Sequence, residues 1–129
     1  MPGVLTQVIV DAANVVGSVP DGWWRDRRRA TERLRDGLVP YAEEGLPGCP
    51  GPVEVVLVVE GAARGVAPVA GVRVEAAPGG GDDLIAELAA RAAADGAPCV
   101  VVTADRELRG RVAAYGARCV GPRTVRPAS

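Results

Sequence analysis

Residues 53–59 read Val-Glu-Val-Val-Leu-Val-Val, an apolar run with one charge in it. A run this short, with so little alternation, is a strand with both faces covered. Cys99–Thr103 is a second such run, and Val4–Val10, interrupted by Thr6 and Gln7, is a third. Strands buried on both faces pair in parallel and need helical crossovers to connect them. This requirement predicts an α/β fold, a mostly parallel sheet with helices on both sides.

The segments between the strands supply those helices. Trp23, Arg27, Ala30, Leu34, Leu38 and Tyr41 recur at three- and four-residue steps, which predicts a helix from Trp23 to about Glu44, capped by Asp21. Gly37 and Pro40 weaken its last turns. Gly45–Pro52 reads as a connector and Gly71–Ala76 as a short third strand at an edge. After the Pro78-Gly79-Gly80-Gly81 joint, Leu84, Ile85, Leu88, Ala89 and Ala92 form a second helical stripe that Gly96 ends. Ala104-Asp105 starts a third helix, carrying Leu108, Val112 and Tyr115 and stopping at Gly116. Arg118–Val120 is the last strand. Residues 1–121 thus read as one domain and residues 122–129 as a loose tail.

Composition narrows the chemistry. The chain has 129 residues and no histidine, which excludes Ser-His and Cys-His catalysis and His-ligated zinc. Its three cysteines, Cys49, Cys99 and Cys119, are odd in number and lack CxxC spacing, so neither a disulfide framework nor a zinc site is indicated. Acid–base or metal chemistry therefore falls to carboxylates. The net charge of −1 rules out a globally basic nucleic-acid binder and leaves room for a local basic patch. No segment has the form of a signal peptide or reaches the roughly 18 apolar residues of a membrane span, so a cytoplasmic location and no membrane partner are expected.

The acids fall where such a fold places its chemistry. Asp11 follows the first strand, Glu60 the second, and Asp105 comes two residues after the fourth. Asp82 and Asp83 open the helix that leads into the fourth strand. The carboxyl ends of parallel strands line the binding crevice of an open α/β sheet. Each acid alone is explained as a helix cap or turn residue. Together, at one edge, they would repel one another unless a cation neutralised them. Oxygen ligands without histidine favour Mg²⁺ or Mn²⁺ over Zn²⁺. Asn14 orients a carboxylate or forms a turn, and Thr103 bonds a carboxylate or caps the next helix. Arg25, Arg27, Arg28, Arg29, Arg33 and Arg35 crowd the first helix, among Asp26, Glu32 and Asp36. They read either as a solvated, ion-paired face or as a phosphate-contacting ridge, with Trp23 or Trp24 adding a stacking surface. One of the two tryptophans is expected in the core.

Val8-Ile9-Val10-Asp11-Ala12-Ala13-Asn14-Val15-Val16-Gly17 resembles the opening strand and Asp-Gly-x-Asn loop of NYN domains, in the PIN-like nuclease superfamily. Gly81-Asp82-Asp83-Leu84-Ile85 is similar to their acidic second motif, and Val101-Val102-Thr103-Ala104-Asp105-Arg106-Glu107-Leu108 to their third. The three occur in the same order and spacing, cover nearly the whole chain, and lie nearest the YacP-like branch. The resemblance implies a three-layer αβα sandwich and Mg²⁺- or Mn²⁺-dependent hydrolysis of RNA. It implies Asp11, Asp83 and Asp105 as catalytic metal ligands and Asn14 as a catalytic positioning residue. Asp82 would be an auxiliary or capping acid, and Thr103 an auxiliary group. Glu60 and Asp82 are further candidate ligands, and Arg25, Arg27, Arg28, Arg29 and Arg106 candidate RNA contacts. Ala12 stands where the family has glycine, and Glu60 where many relatives have Asp.

Three functions compete on these grounds. The first is a metal-dependent ribonuclease with an RNA partner. The second is a catalytically inactive NYN-type module that binds RNA or protein. The third is a metal-dependent hydrolase of a small nucleotide, for which no Walker A or GxGxxG loop exists. A haloacid-dehalogenase phosphatase is disfavoured because Ala13 stands where that chemistry needs a second Asp. Monomer, homodimer and inhibitor-bound states are all left open.

Overall fold

The computed structural model describes residues 4–125. In chain order its elements are β1 (Thr6–Asp11), α1 (Ala12–Val16), α2 (Arg27–Leu38), α3 (Tyr41–Glu44), β2 (Gly45–Leu46), β3 (Cys49–Pro50), β4 (Val53–Val59), β5 (Val72–Ala76), α4 (Gly81–Ala94), β6 (Cys99–Val102), α5 (Arg106–Ala113) and β7 (Arg118–Val120). Five strands form one parallel sheet in the order β5-β4-β1-β6-β7, while β2 and β3 make a small antiparallel ribbon in the expected connector. Helices lie on both faces, so the architecture is the expected α/β three-layer sandwich.

Strand alternation divides the core in two. Val8, Val10, Val55, Leu57 and Val59 pack with α1 and α2 through Val15, Leu34 and Leu38. Ile9, Val58 and Val101 face the other way and meet Ile85 and Ala89 of α4 and Leu108 and Val112 of α5. With no Phe in the chain, the core is filled by branched aliphatics and alanine. Leu38, Leu57, Ile85 and Leu108 are fully enclosed, each contributing roughly 1.5–3 kcal/mol of burial.

The strand readings at Val53–Val59 and Arg118–Val120 match the structure, and β5 is an edge strand. The long helix read from Trp23 to Glu44 is three pieces. A single 3₁₀ turn covers Trp23–Arg25, and Asp26, not Asp21, caps α2 by accepting from the Arg29 backbone N–H at 3.0 Å. Pro40 lacks an N–H, so the ladder is interrupted there and α3 starts afresh. Tyr115, read as carried by the third helix, lies beyond the end of α5 and is exposed. Residues 122–125 of the tail read as loose are ordered against the domain. Pro122–Thr124 form a 3₁₀ turn, and Pro122 and Val125 are buried. Residues 126–129 lie outside the described residues.

Leu57 tests this packing. Leu57→Ala should cost about 2–5 kcal/mol, the range for emptying a core site. It should appear as a lower urea midpoint at unchanged slope.

Candidate functional site

The chain winds outward from β1 to β4 and β5, then returns across the sheet through α4 to β6. Connections after β1 and β6 therefore leave on opposite faces. The gap between those two strand ends is the topological switch point, where open α/β sheets bind ligands. The register Val10↔Val102 puts Asp11 beside Thr103 in that gap.

Asp11 is the last residue of β1 and only 4% exposed. Its Oδ2 accepts the Thr103 hydroxyl at 2.9 Å, and its Oδ1 accepts the Asn14 backbone N–H at 3.3 Å while capping α1. The Thr103 oxygen also accepts the Asp105 N–H at 3.2 Å, and Asp105 caps α5 through the Leu108 N–H at 3.0 Å. The Asn14 side chain accepts the Ala104 N–H at 2.8 Å. The first and third motifs are thus tied together by two side-chain hydrogen bonds, and of the two readings of Thr103 the carboxylate bond is the one seen, because Asp105 and not Thr103 caps α5. Asn14 does more than turn the chain, since its amide oxygen fixes the loop after β6.

Burial raises the Asp11 carboxyl from its ordinary 3.8 to about 6. The Thr103 and Asn14 hydrogen bonds oppose this rise, and the negative charges of Asp82 and Glu60 add to it. Asp82 is also raised, first by burial, then by Asp105 and Glu60, against the pull of Arg111. Asp11, Glu60, Asp82 and Asp105 therefore share one electrostatic field. Asp83 does not join them. Its side chain is 92% exposed and pairs with Arg111 of α5 at 3.0 Å. Of the two adjacent acids, Asp82 faces the crevice.

Glu60 is held to the second motif, because its Oε1 accepts the Gly81 N–H at 3.1 Å. A Cβ at Gly81 would stand 3.0 Å from that same oxygen, so a larger residue there would push the end of the Glu60 side chain aside by a few tenths of an ångström. Ala12, which replaces the family glycine, is buried in α1, and among the described residues no non-glycine takes a positive φ. The alanine needs no unusual turn.

The arginine ridge divides by role. Arg28 reaches the Gly65 carbonyl and Glu32, and Arg35 reaches the Ala67 carbonyl and Asp36, so both fasten the loop after β4 to α2. Arg27 lies over the Trp23 ring, 5.3 Å from its centroid. Arg25, Arg29 and Arg106 are exposed. Trp23 is the tryptophan packed against the core, while Trp24 is 53% exposed. Sequence reasoning missed a cleft of about 140 Å³ between Ala12, Trp23, Arg27 and Glu60. The adjacent Trp-Trp pair ahead of an arginine run was its only signal. Burial pushes the Cys99 thiol up to about 11, which keeps it protonated at neutral pH.

Rae1 (YacP) from Bacillus subtilis superposes on this chain with a TM-score of 0.71 at 20% identity, over 92% of this chain and 70% of that one. The chain shares the fold of Rae1. A tryptophan-to-leucine variant of Rae1 gives 0.68 with the same identity and coverage. The sequence matches no protein-family model and no curated protein. Among the described residues no helix is long and apolar enough to cross a membrane.

Among the described residues, no three acids or thiols close on one point tightly enough to cage an ion by themselves. A hydrated Mg²⁺ does not need a cage, since it keeps several waters and takes one or two carboxylates. The all-oxygen donors around Asp11 fit an ion of that kind.

The raised Asp11 carboxyl has a consequence for stability. Its folded value of about 6 exceeds the ordinary 3.8, so the folded state holds the proton more tightly. The stability that this proton confers is fully present below about pH 4 and is lost as pH rises through about 6. Asp11→Asn removes that loss and gives up part of a hydrogen bond. In chelator it should gain about 1–3 kcal/mol at about pH 8, with the gain gone near pH 4. Thermal melts across that pH range would check it.

Proposed function

We propose that this chain is a metal-dependent ribonuclease that hydrolyses RNA phosphodiester bonds at the switch point between β1 and β6. The observation that carries this reading is Asp11, a carboxylate buried at a strand end and held in place by Thr103 and Asn14 while other acids disfavour its charge. Such a group lowers the stability of the metal-free fold, and a bound cation would reverse that effect. The resemblance of the three motifs to NYN domains gives the substrate class, and the fold likeness to Rae1 agrees with it.

In this reading Asp11 would hold Mg²⁺ or Mn²⁺, with Asp82 and Asp105 reaching it directly or through water. Glu60 would stand at the margin of the set. The ion would supply Lewis-acid stabilisation of the phosphate and a more acidic water. Thr103 fixes the Asp11 carboxylate and aligns Asp105 through one hydroxyl. Asn14 holds the loop after β6, from which Asp105 projects, through the Ala104 N–H. The role that the second motif assigns to Asp83 passes to Asp82, because Arg111 draws Asp83 away from the crevice. Arg25, Arg29 and Arg106 are exposed cations available to RNA phosphates.

The test is cleavage of labelled single-stranded and hairpin RNA with Mn²⁺, Mg²⁺ or chelator. Cleavage should require metal and fall roughly 10²-fold or more in Asp11→Asn and Asp82→Asn, while Asp83→Asn stays within a few-fold of wild type. Mn²⁺ should also raise the melting temperature of the wild type and not of Asp11→Asn. Full activity in Asp11→Asn would sink the mechanism. RNA binding without turnover by any metal would instead identify a binding module.

A further inference from the structure

The cleft beside the acidic edge has the size and chemistry of a nucleobase subsite. Ala12 and Ala13, which follow Asp11 in the chain, line it together with Glu60, whose charge acts on Asp11, so the cleft adjoins the site of proposed cleavage. Its volume, about 140 Å³, is close to the roughly 150 Å³ of a cavity that takes up one benzene. One six-membered ring fits and a stacked pair does not.

The lining supplies what a base requires. Trp23 packs against the core and Arg27 sits over its ring, so a base entering the cleft meets an aromatic surface with a positive charge beside it. Stacking on such a surface is available to any base. Selection falls to Glu60. A carboxylate only accepts hydrogen bonds, and the Gly81 N–H fixes this one in orientation. It pairs with the exocyclic amine of cytosine and repels the O4 carbonyl of uracil at the equivalent position. Arg27 offers donors to a carbonyl oxygen of the base or to its phosphate.

We infer that the cleft between Trp23, Arg27 and Glu60 receives one unpaired, amine-bearing base of the RNA, cytosine by size, and places its phosphate at Asp11. This rests on the ribonuclease reading for its substrate class and makes Glu60 a specificity residue.

Trp23 can report its own occupancy. The chain has two tryptophans, so Trp24→Phe leaves Trp23 as the sole indole emitter. This protein would be titrated in chelator with oligocytidylate and oligouridylate pentamers, following Trp23 emission and, with labelled RNA, anisotropy. Oligocytidylate should quench Trp23 and bind roughly tenfold tighter than oligouridylate. Adding Arg27→Ala should weaken oligocytidylate roughly tenfold, with an unchanged circular-dichroism melt excluding misfolding. Adding Glu60→Gln, whose amide both donates and accepts, should bring the two RNAs within about twofold. Equal affinity for both pentamers with Glu60 intact would overturn the proposal. So would binding seen by anisotropy without quenching, or no binding of either RNA. If metal-dependent cleavage persists in any of those cases, the subsite alone falls and the nuclease reading stands. If cleavage is absent as well, both fall.

Discussion

A carboxylate buried at the tip of the central strand is the constraint that shapes this edge of the molecule. Asp11 has almost no access to water, so its oxygens must find donors within the chain. They find them in Thr103 and in the Asn14 backbone. Satisfying one acid thereby fixes the distance between the ends of β1 and β6 and the starts of α1 and α5. The Thr103 hydroxyl donates a hydrogen bond to Asp11 and accepts one from the Asp105 N–H. A valine of the same shape would take this partner from Asp11 Oδ2 and from the Asp105 N–H. The site is a chain of mutually dependent hydrogen bonds more than a set of separate ligands.

The sheet makes this arrangement easy to build. Five parallel strands with aliphatic side chains on both faces leave little freedom of register, because slipping by one residue would move every side chain to the wrong layer. Once Val10 pairs with Val102, Thr103 can only stand next to Asp11. The polar site follows from apolar packing several residues away. The Ala-rich α4 is matched to the same sheet, presenting Ile85 and Ala89 to Ile9, Val58 and Val101 and bringing its N-terminal acids to the edge.

What the sequence made legible follows the range of the signals involved. Val53–Val59 was readable because continuous apolar runs are local. The division of the first helix was not, because apolar spacing reports which side faces the core and not whether the backbone is continuous. Trp23 and Leu34 both reach the core although Asp26 separates their segments. Asp82 and Asp83 differ for a related reason. Successive helical residues point about 100° apart, and which one meets the crevice depends on α5, whose Arg111 takes Asp83. Val125 buries itself from a segment too short to show a period. The cleft by Trp23 required three segments far apart in sequence to come together, and no single stretch announces it.

The energetics of Asp11 bear on why an acid stands there. Raising its carboxyl to about 6 from 3.8 corresponds to a destabilisation of about 3 kcal/mol at neutral pH. Against a typical stability of about 5–15 kcal/mol, that is a large share to lose at one residue. The fold gains nothing from the charge itself. A neutral residue accepting the Thr103 hydroxyl would serve the sheet better. The hydrogen bonds hold an unfavourable charge beside other acids instead of shielding it with an arginine, although Arg111 is near enough to lower Asp82. A structural ion pair would be built the other way round. Under the proposed reading, the partner of that charge would be a cation from outside the chain.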